Sequence, residues 1–282
     1  IQRWLRGTIV RLLRLGDYSA GCTDELVALV SLSFPVIYWI NLDRAKARRE
    51  RMTTALATRG LAHTRVKAVD GHDPQQVLST LHGATSQPTE AACLASHLTA
   101  IKQAFEAGLQ SVIILEDDAS FELFDRWPAG WATISRALPK DFGMVLLCVG
   151  QEPPRLDQLY RRSEALVQLN DCRYWGTIAY LLDRAGMAAL MAAFDRGAHF
   201  LVAEHQAPHL ADSVLTDALS VDESVSGPWI SRVPLFVFDT LDSDIHQDHL
   251  AHQQRARDFI VSHHDALVEG AYVSPFTLTQ RV

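Results

Sequence analysis

From Pro35 onward, short apolar runs alternate with longer segments whose apolar positions recur at helical spacing. Val36–Ile40 is an apolar, β-branched run with the length of a buried strand. Arg44–Arg59 follows as a helix, stopped by Gly60 where a left-handed residue is needed. Thr64–Val69 reads as a second strand, and residues 71–88, rich in Gly, Pro, Gln and Ser, as a loop with one short helix. Thr89 is expected to cap a long helix that runs through Ala107 and closes at Gly108. Its Leu94, Leu98, Ile101 and Phe105 fall on one narrow stripe, the side that faces a core. Val112–Leu115 and Met144–Val149 are further buried strands, and 150–165 is a polar connection. Thr177–Leu182 is another strand, after which Asp183 caps a helix with Met187, Leu190, Met191 and Phe194 as its buried stripe. Pro234–Phe238 reads as a late strand and 248–268 as a polar terminal helix.

This alternation predicts an α/β fold, a mostly parallel sheet covered by helices on both faces. Such sheets bind ligands beyond the carboxyl ends of their strands. The pattern divides the chain into an extension at 1–34, an α/β domain at 35–246 and a helical tail at 247–282. In the extension, Arg3, Arg6, Arg11 and Arg14 gather on one side of a helical wheel, with Trp4, Leu5, Ile9, Leu12, Leu13 and Leu15 on the other. A basic amphipathic helix of this kind rests on an anionic membrane surface or packs on its own domain; tertiary burial gives the same stripe. The uncharged run Leu26–Leu42 is broken by Pro35 and falls short of the roughly 20 apolar residues that span a bilayer.

Composition narrows the function. A net charge of −7 argues against a nucleic-acid partner, which needs a basic face. It leaves room for a phosphorylated small ligand, because a bound metal supplies positive charge. Cys22, Cys93, Cys148 and Cys172 are far apart without a C-x-x-C pair, and read as small buried hydrophobes in a reducing, cytoplasmic setting.

The chemistry concentrates where Val112–Leu115 runs into Glu116-Asp117-Asp118. Three adjacent carboxylates at the end of a buried strand must shift their pKa, find donors or bind a cation. Alternation sends Glu116 and Asp118 to one side and Asp117 to the other, so one pair can hold a hard ion such as Mg²⁺ or Mn²⁺. A solvated acidic turn would look the same in sequence. No G-x-G-x-x-G, G-x-x-x-x-G-K-[ST] or G-x-S-x-G is present. His246, His249 and His252 spread around a helix, and Pro208 separates His205 from His209, so neither set makes a zinc site.

Several segments in order resemble glycosyltransferase family 25, which includes bacterial lipooligosaccharide galactosyl- and glucosyltransferases and collagen hydroxylysine galactosyltransferases. They are Ile40-Asn-Leu-Asp-Arg44 with Arg51-Met52; Ala68-Val-Asp-Gly71; Glu90, Cys93, Leu94 and Ser96-His97; Ile114-Leu-Glu-Asp-Asp118; Asp141-Phe142; Gly176-Thr177 with Ala179-Tyr180; and Asp242-Ser-Asp-Ile245. The resemblance implies a GT-A-like nucleotide-diphospho-sugar transferase fold, a UDP-sugar donor, a glycan or glycolipid acceptor and a divalent metal, Mn²⁺ before Mg²⁺. It also implies inversion at the anomeric carbon. Carried over by position, Asn41, Arg44 and Asp70 lie near the uridine, and Ser96 and His97 line the site from the long helix. Asp117 and Asp118 serve ribose and metal, with Glu116 beside them and Asp244 or His246 completing the metal shell. Two positions depart from the family: Pro88-Thr89 replaces Pro-Gly, and Leu210-Ala-Asp212 replaces Pro-Val-Asp.

An inverting transfer needs one general base. Asp171, Asp183, Glu204, Asp212 and Asp217 are the candidates, and Asp212 leads, at the polar edge of a helix whose Leu210, Val214, Leu215 and Leu219 form the apolar half. Two other readings stay open: a metal-dependent phosphohydrolase, and a non-catalytic module that binds a sugar nucleotide.

Overall fold

The computed structural model describes residues 34–83, 87–127, 129–169, 174, 176–202, 210–239 and 250–276. Val36–Asn41 forms β1, buried from Ile37 onward, and leads into helix α1, Lys46–Thr58. Gly60, at φ 61°, ends that helix as expected. Strand β2 is His63–Lys67, α2 is Pro74–Thr80 and β3 is Leu81–His82. The long helix α3 spans Pro88–Glu106. Its cap is Gln87, not Thr89, because Pro88 takes the first turn, where a missing N–H costs nothing.

Strand β4, Ser111–Glu116, is followed by β5 (Ala119–Ser120), α4 (Glu122–Arg126), α5 (Gly130–Ala137) and β6 (Met144–Leu146). Next come α6 (Pro153–Tyr160), β7 (Leu166–Gln168), β8 (Ala179–Asp183) and α7 (Arg184–Phe194). The last elements are β9 (Phe200–Leu201), α8 (Ala211–Ser220), β10 (Pro228–Ser231), β11 (Val237–Phe238) and α9 (Leu250–Val268).

Seven strands make the central sheet in the order β2-β1-β4-β8-β6-β10-β7. Strands β2, β1, β4, β6 and β10 run one way, and β8 and β7 the other. The mixed, largely parallel α/β sheet is therefore the one expected. Its centre is apolar on both faces: Ile113, Ile114 and Leu115 of β4 and Tyr180, Leu181 and Leu182 of β8 are wholly buried. Helix α3 covers it with Leu94, Leu98 and Ile101, while Phe105 is only half-buried. Asp183 caps α7 by accepting from the Gly186 N–H, and Met187, Leu190, Met191 and Phe194 are buried as read.

Three expectations need correction. The polar segment 150–165 contains α6, whose Leu156, Leu159 and Tyr160 point into the core. Of Pro234–Phe238 only Val237–Phe238 is a strand, paired with β5 outside the main sheet. Met144–Val149 stays buried, but its ladder ends at Leu146; the Leu147 carbonyl instead accepts from the Leu235 and Phe236 N–H groups. Helix α9 buries Ala256, Phe259, Ile260 and Leu267, and Arg257 donates to Glu122 at 2.8 Å. Residues 1–15, Asp171, Glu204, Asp242, Asp244 and His246 lie outside the described residues.

Candidate functional site

The carboxyl ends of β1 and β4 are neighbours in a parallel pair, so Asn41 and Glu116-Asp117-Asp118 open on the same crevice. The segment Ala68–Gly71 and helix α3 form its second wall, through Thr89, Cys93, Ser96 and His97. Gly71 permits this closeness: a Cβ there would stand 2.7 Å from the Thr89 Cα. Ser96 bolts the wall together, accepting from the Val69 N–H at 2.8 Å and donating to the Ala92 carbonyl at 2.6 Å.

Asn41 is buried and fully engaged. Its Nδ2 donates to Asp117 Oδ2 at 2.5 Å, and its Oδ1 accepts from Arg65 at 2.9 Å and Arg49 at 3.2 Å. Asp117 also faces Arg48 Nε at 3.4 Å, and its carbonyl accepts from Arg51. At the mouth, Arg44 pairs with Asp70 at 3.1 Å, which holds the Asp70 carboxyl below the usual range. Deeper in, Glu116 Oε1 accepts from Thr177 Oγ1 at 2.8 Å and lies 3.3 Å from His97 Nε2. The other ring nitrogen, His97 Nδ1, is 2.9 Å from the Tyr180 hydroxyl.

The three carboxylates respond differently. Burial would raise Glu116, but the His97 and Thr177 contacts and nearby Arg48 outweigh it and hold the group low. Burial raises Asp117, and its Asn41 and Arg48 contacts offset only part of that. Asp118 is pushed well up, by burial first and then by the charges of Glu116 and Asp117. Among the described residues, its buried Oδ1 has no hydrogen-bond partner. Asp212, in the first turn of α8, accepts from the N–H groups of Ser213 at 2.7 Å and Gly176 at 3.3 Å, beside the Thr177 that donates to Glu116. Burial raises its carboxyl and the charge of Glu116 adds to the effect, so α8 brings it toward the strand end.

Residues 34–124 match the sequence model of glycosyltransferase family 25 (LPS biosynthesis protein). The resemblance to that family is borne out. The match takes in Asn41, Arg44, Asp70, Ser96, His97 and Glu116-Asp117-Asp118, and ends before Asp212. Among curated proteins, procollagen galactosyltransferase 1 of Danio rerio is 26% identical over 178 residues, covering 57% of this chain and 29% of the relative. Probable inactive glycosyltransferase 25 family member 3 of Bos taurus is 29% identical over 183 residues, with the same coverage of 57% and 29%. The chain thus spans less than a third of the length of the curated relatives it matches.

Within the matched segment, Arg44, Ser96, His97 and Asp117 border one crevice with Asn41, and Asp70 joins them only through its ion pair with Arg44. Their contacts refine that reading: Asn41 and Ser96 spend their polar atoms on holding Asp117 and Val69. Of the expected metal ligands, Glu116 and Asp118 share the cleft, and Asp244 and His246 lie outside the described residues. Asp118 fits a cation, since a buried carboxylate oxygen with no partner among the described residues, beside two other acids, is what an ion would neutralise. The sequence underrated Cys93. Its Sγ, a His97 nitrogen and a Glu116 oxygen lie within 4.8 Å of one another, a cluster able to coordinate a divalent metal. The Cys93-x-x-x-His97 spacing on a helix was the available signal. Asp183 drops out as a base, being the α7 cap.

Proposed function

We propose that the chain is a metal-dependent inverting glycosyltransferase that moves a hexose, galactose or glucose, from a UDP-sugar to a glycan acceptor such as lipooligosaccharide. The observation that carries the reading is the acidic end of β4, where Asp118 keeps a buried carboxylate oxygen without a partner among the described residues, inside a segment matching a glycosyltransferase family. A divalent ion held by Asp118 and Glu116, Mn²⁺ before Mg²⁺, would supply positive charge for the departing diphosphate.

The chain's own residues supply the rest. Asn41, Arg48 and Arg51 fix Asp117 in place, so it meets the ribose without reorganising. The Arg44–Asp70 pair forms the rim against which the uracil rests. Asp212 takes the proton from the acceptor hydroxyl; partial burial raises its basicity while two backbone N–H groups hold its direction.

Incubating the protein with a panel of UDP-sugars and Mn²⁺, with and without EDTA, and measuring UDP release tests the reading. Release that depends on both metal and sugar is expected. Turnover of phosphate esters without a UDP-sugar would make it a phosphohydrolase. Tight UDP-sugar binding without turnover would make it a binding module, a reading favoured by the relative described as probably inactive. The proposal places the protein in the cytoplasm, with the arginine face of residues 1–15 on the inner face of the cytoplasmic membrane. Each basic residue near an anionic bilayer contributes about 1 kcal/mol. Changing Arg3, Arg6, Arg11 and Arg14 to Gln should therefore release the protein from anionic vesicles in a sedimentation assay. A wild-type chain that never sediments would return that helix to a packing role.

A further inference from the structure

Cys93 and His97 stand four residues apart on α3, so both side chains leave the same face of the helix, toward Glu116 at the end of β4. Bonds of about 2.0–2.3 Å around a tetrahedral zinc set neighbouring ligand atoms roughly 3.3–3.6 Å apart. His97 Nε2 and Glu116 Oε1 already stand 3.3 Å apart, and the thiol sulfur completes a triangle with no side above 4.8 Å.

The supporting contacts are those a ligating set needs. Tyr180 holds His97 Nδ1 at 2.9 Å, which fixes the ring and turns Nε2 toward Glu116. Thr177 steadies the Glu116 carboxylate at 2.8 Å. Burial first, and then the charges of Glu116, Asp212, Asp118 and Glu90, push the Cys93 thiol well up, so the ion itself must displace the thiol proton on binding. Cys93 and His97 line the open cleft, so an ion has a way in.

We propose that Cys93, His97 and Glu116 form a zinc site that overlaps the oxygen-only end at Asp118 through their shared Glu116. Thiolate sulfur and imidazole nitrogen select Zn²⁺ over the hard ions Mn²⁺ and Mg²⁺. Three protein ligands leave a fourth position for an exchangeable ligand from the cleft. One consequence rests on the glycosyltransferase reading: zinc engages Glu116, and so slows sugar transfer supported by Mn²⁺.

The test of the site itself is independent of activity. The full chain, stripped with a chelator and dialysed, is titrated with Co²⁺ as an optical stand-in and then with Zn²⁺. One equivalent of Co²⁺ should give a thiolate-to-cobalt charge-transfer band that Zn²⁺ abolishes and Mg²⁺ does not. Cys93→Ser should remove the band while Cys148→Ser keeps it, and His97→Gln should weaken zinc binding at least about tenfold. Circular dichroism checks folding; if His97→Gln unfolds, Cys93→Ser, a small change at a half-buried position, decides alone. Absence of the band in the wild type, or its survival in Cys93→Ser, overturns the proposal. If the band behaves as expected but UDP-sugar turnover is nil, the zinc site stands and the glycosyltransferase reading falls.

Discussion

Asp118 and Asp212 are both carboxylates raised by burial, yet the structure asks opposite things of them. Asp118 carries a buried oxygen without a partner among the described residues, beside two other acids. Asp118→Asn removes that repulsion, so thermal stability should hold or rise. Activity should fall at least about 10²-fold, since several kcal/mol of charge stabilisation at the leaving group is lost. Full turnover in this variant, or in excess EDTA, would end the metal-dependent mechanism. As the proposed base, Asp212 must be ionised to accept a proton, so the rate should rise with pH through its folded pKa. Burial and the charge of Glu116 place that limb above the ordinary carboxylate value of 3.8. Asp212→Asn should keep donor affinity, lower turnover by about 10²–10⁴-fold and lose the acid limb. Near-normal turnover would move the role, with Glu204 the next residue to change.

At the scale of elements, the cleft depends on how closely α3 meets the segment after β2. Gly71 lies in the Ala68-Val-Asp-Gly71 stretch, and a side chain there collides with the backbone of Thr89. Gly71→Ala must push the start of α3 outward, at a cost of about 1–3 kcal/mol. The same displacement moves Cys93, Ser96 and His97 relative to Asn41 and Glu116. The expected result is a lower urea midpoint together with a higher KM for the donor. An unchanged midpoint would show that the helix start yields freely. Asn41 matters in the same way: it ties the end of β1 to Asp117, and through Arg49 and Arg65 to α1 and β2.

For the whole molecule, α9 closes the core and brings a buried histidine with it. His264 is wholly buried, with Nε2 3.2 Å from the Pro234 carbonyl. Burial pulls its pKa below 6.5. As pH falls through about 6.5 the unfolded chain takes up a proton that the folded chain still refuses, so the unfolded state binds more protons and stability falls. The contribution is complete above 6.5 and is lost on acidification. Urea melts at about pH 7.5 and pH 5.5 should show this fall, and His264→Gln should shrink it. An equal fall in wild type and variant would assign the pH dependence to other groups.

Pattern alone determined the order of the long elements, because burial of one helix face or of a whole strand writes a period into the sequence. Leu94, Leu98 and Ile101 on α3 and the run Val112–Leu115 carried that signal, and so did the carboxylates that follow it. Short pieces carried none. Strands β7 and β10, three and four residues long, hold too few positions to show alternation, and exist because the sheet supplies their hydrogen bonds. The turn of α6 was hidden for the same reason: its apolar face is two leucines and a tyrosine among polar neighbours. Sequence likewise named most of the cleft but not the duties within it. That Asn41 spends its amide on Asp117, and that Cys93 shares a corner with His97 and Glu116, follows from distances between remote segments. Only packing sets those distances, because a residue's neighbours along the chain do not fix its neighbours across a sheet.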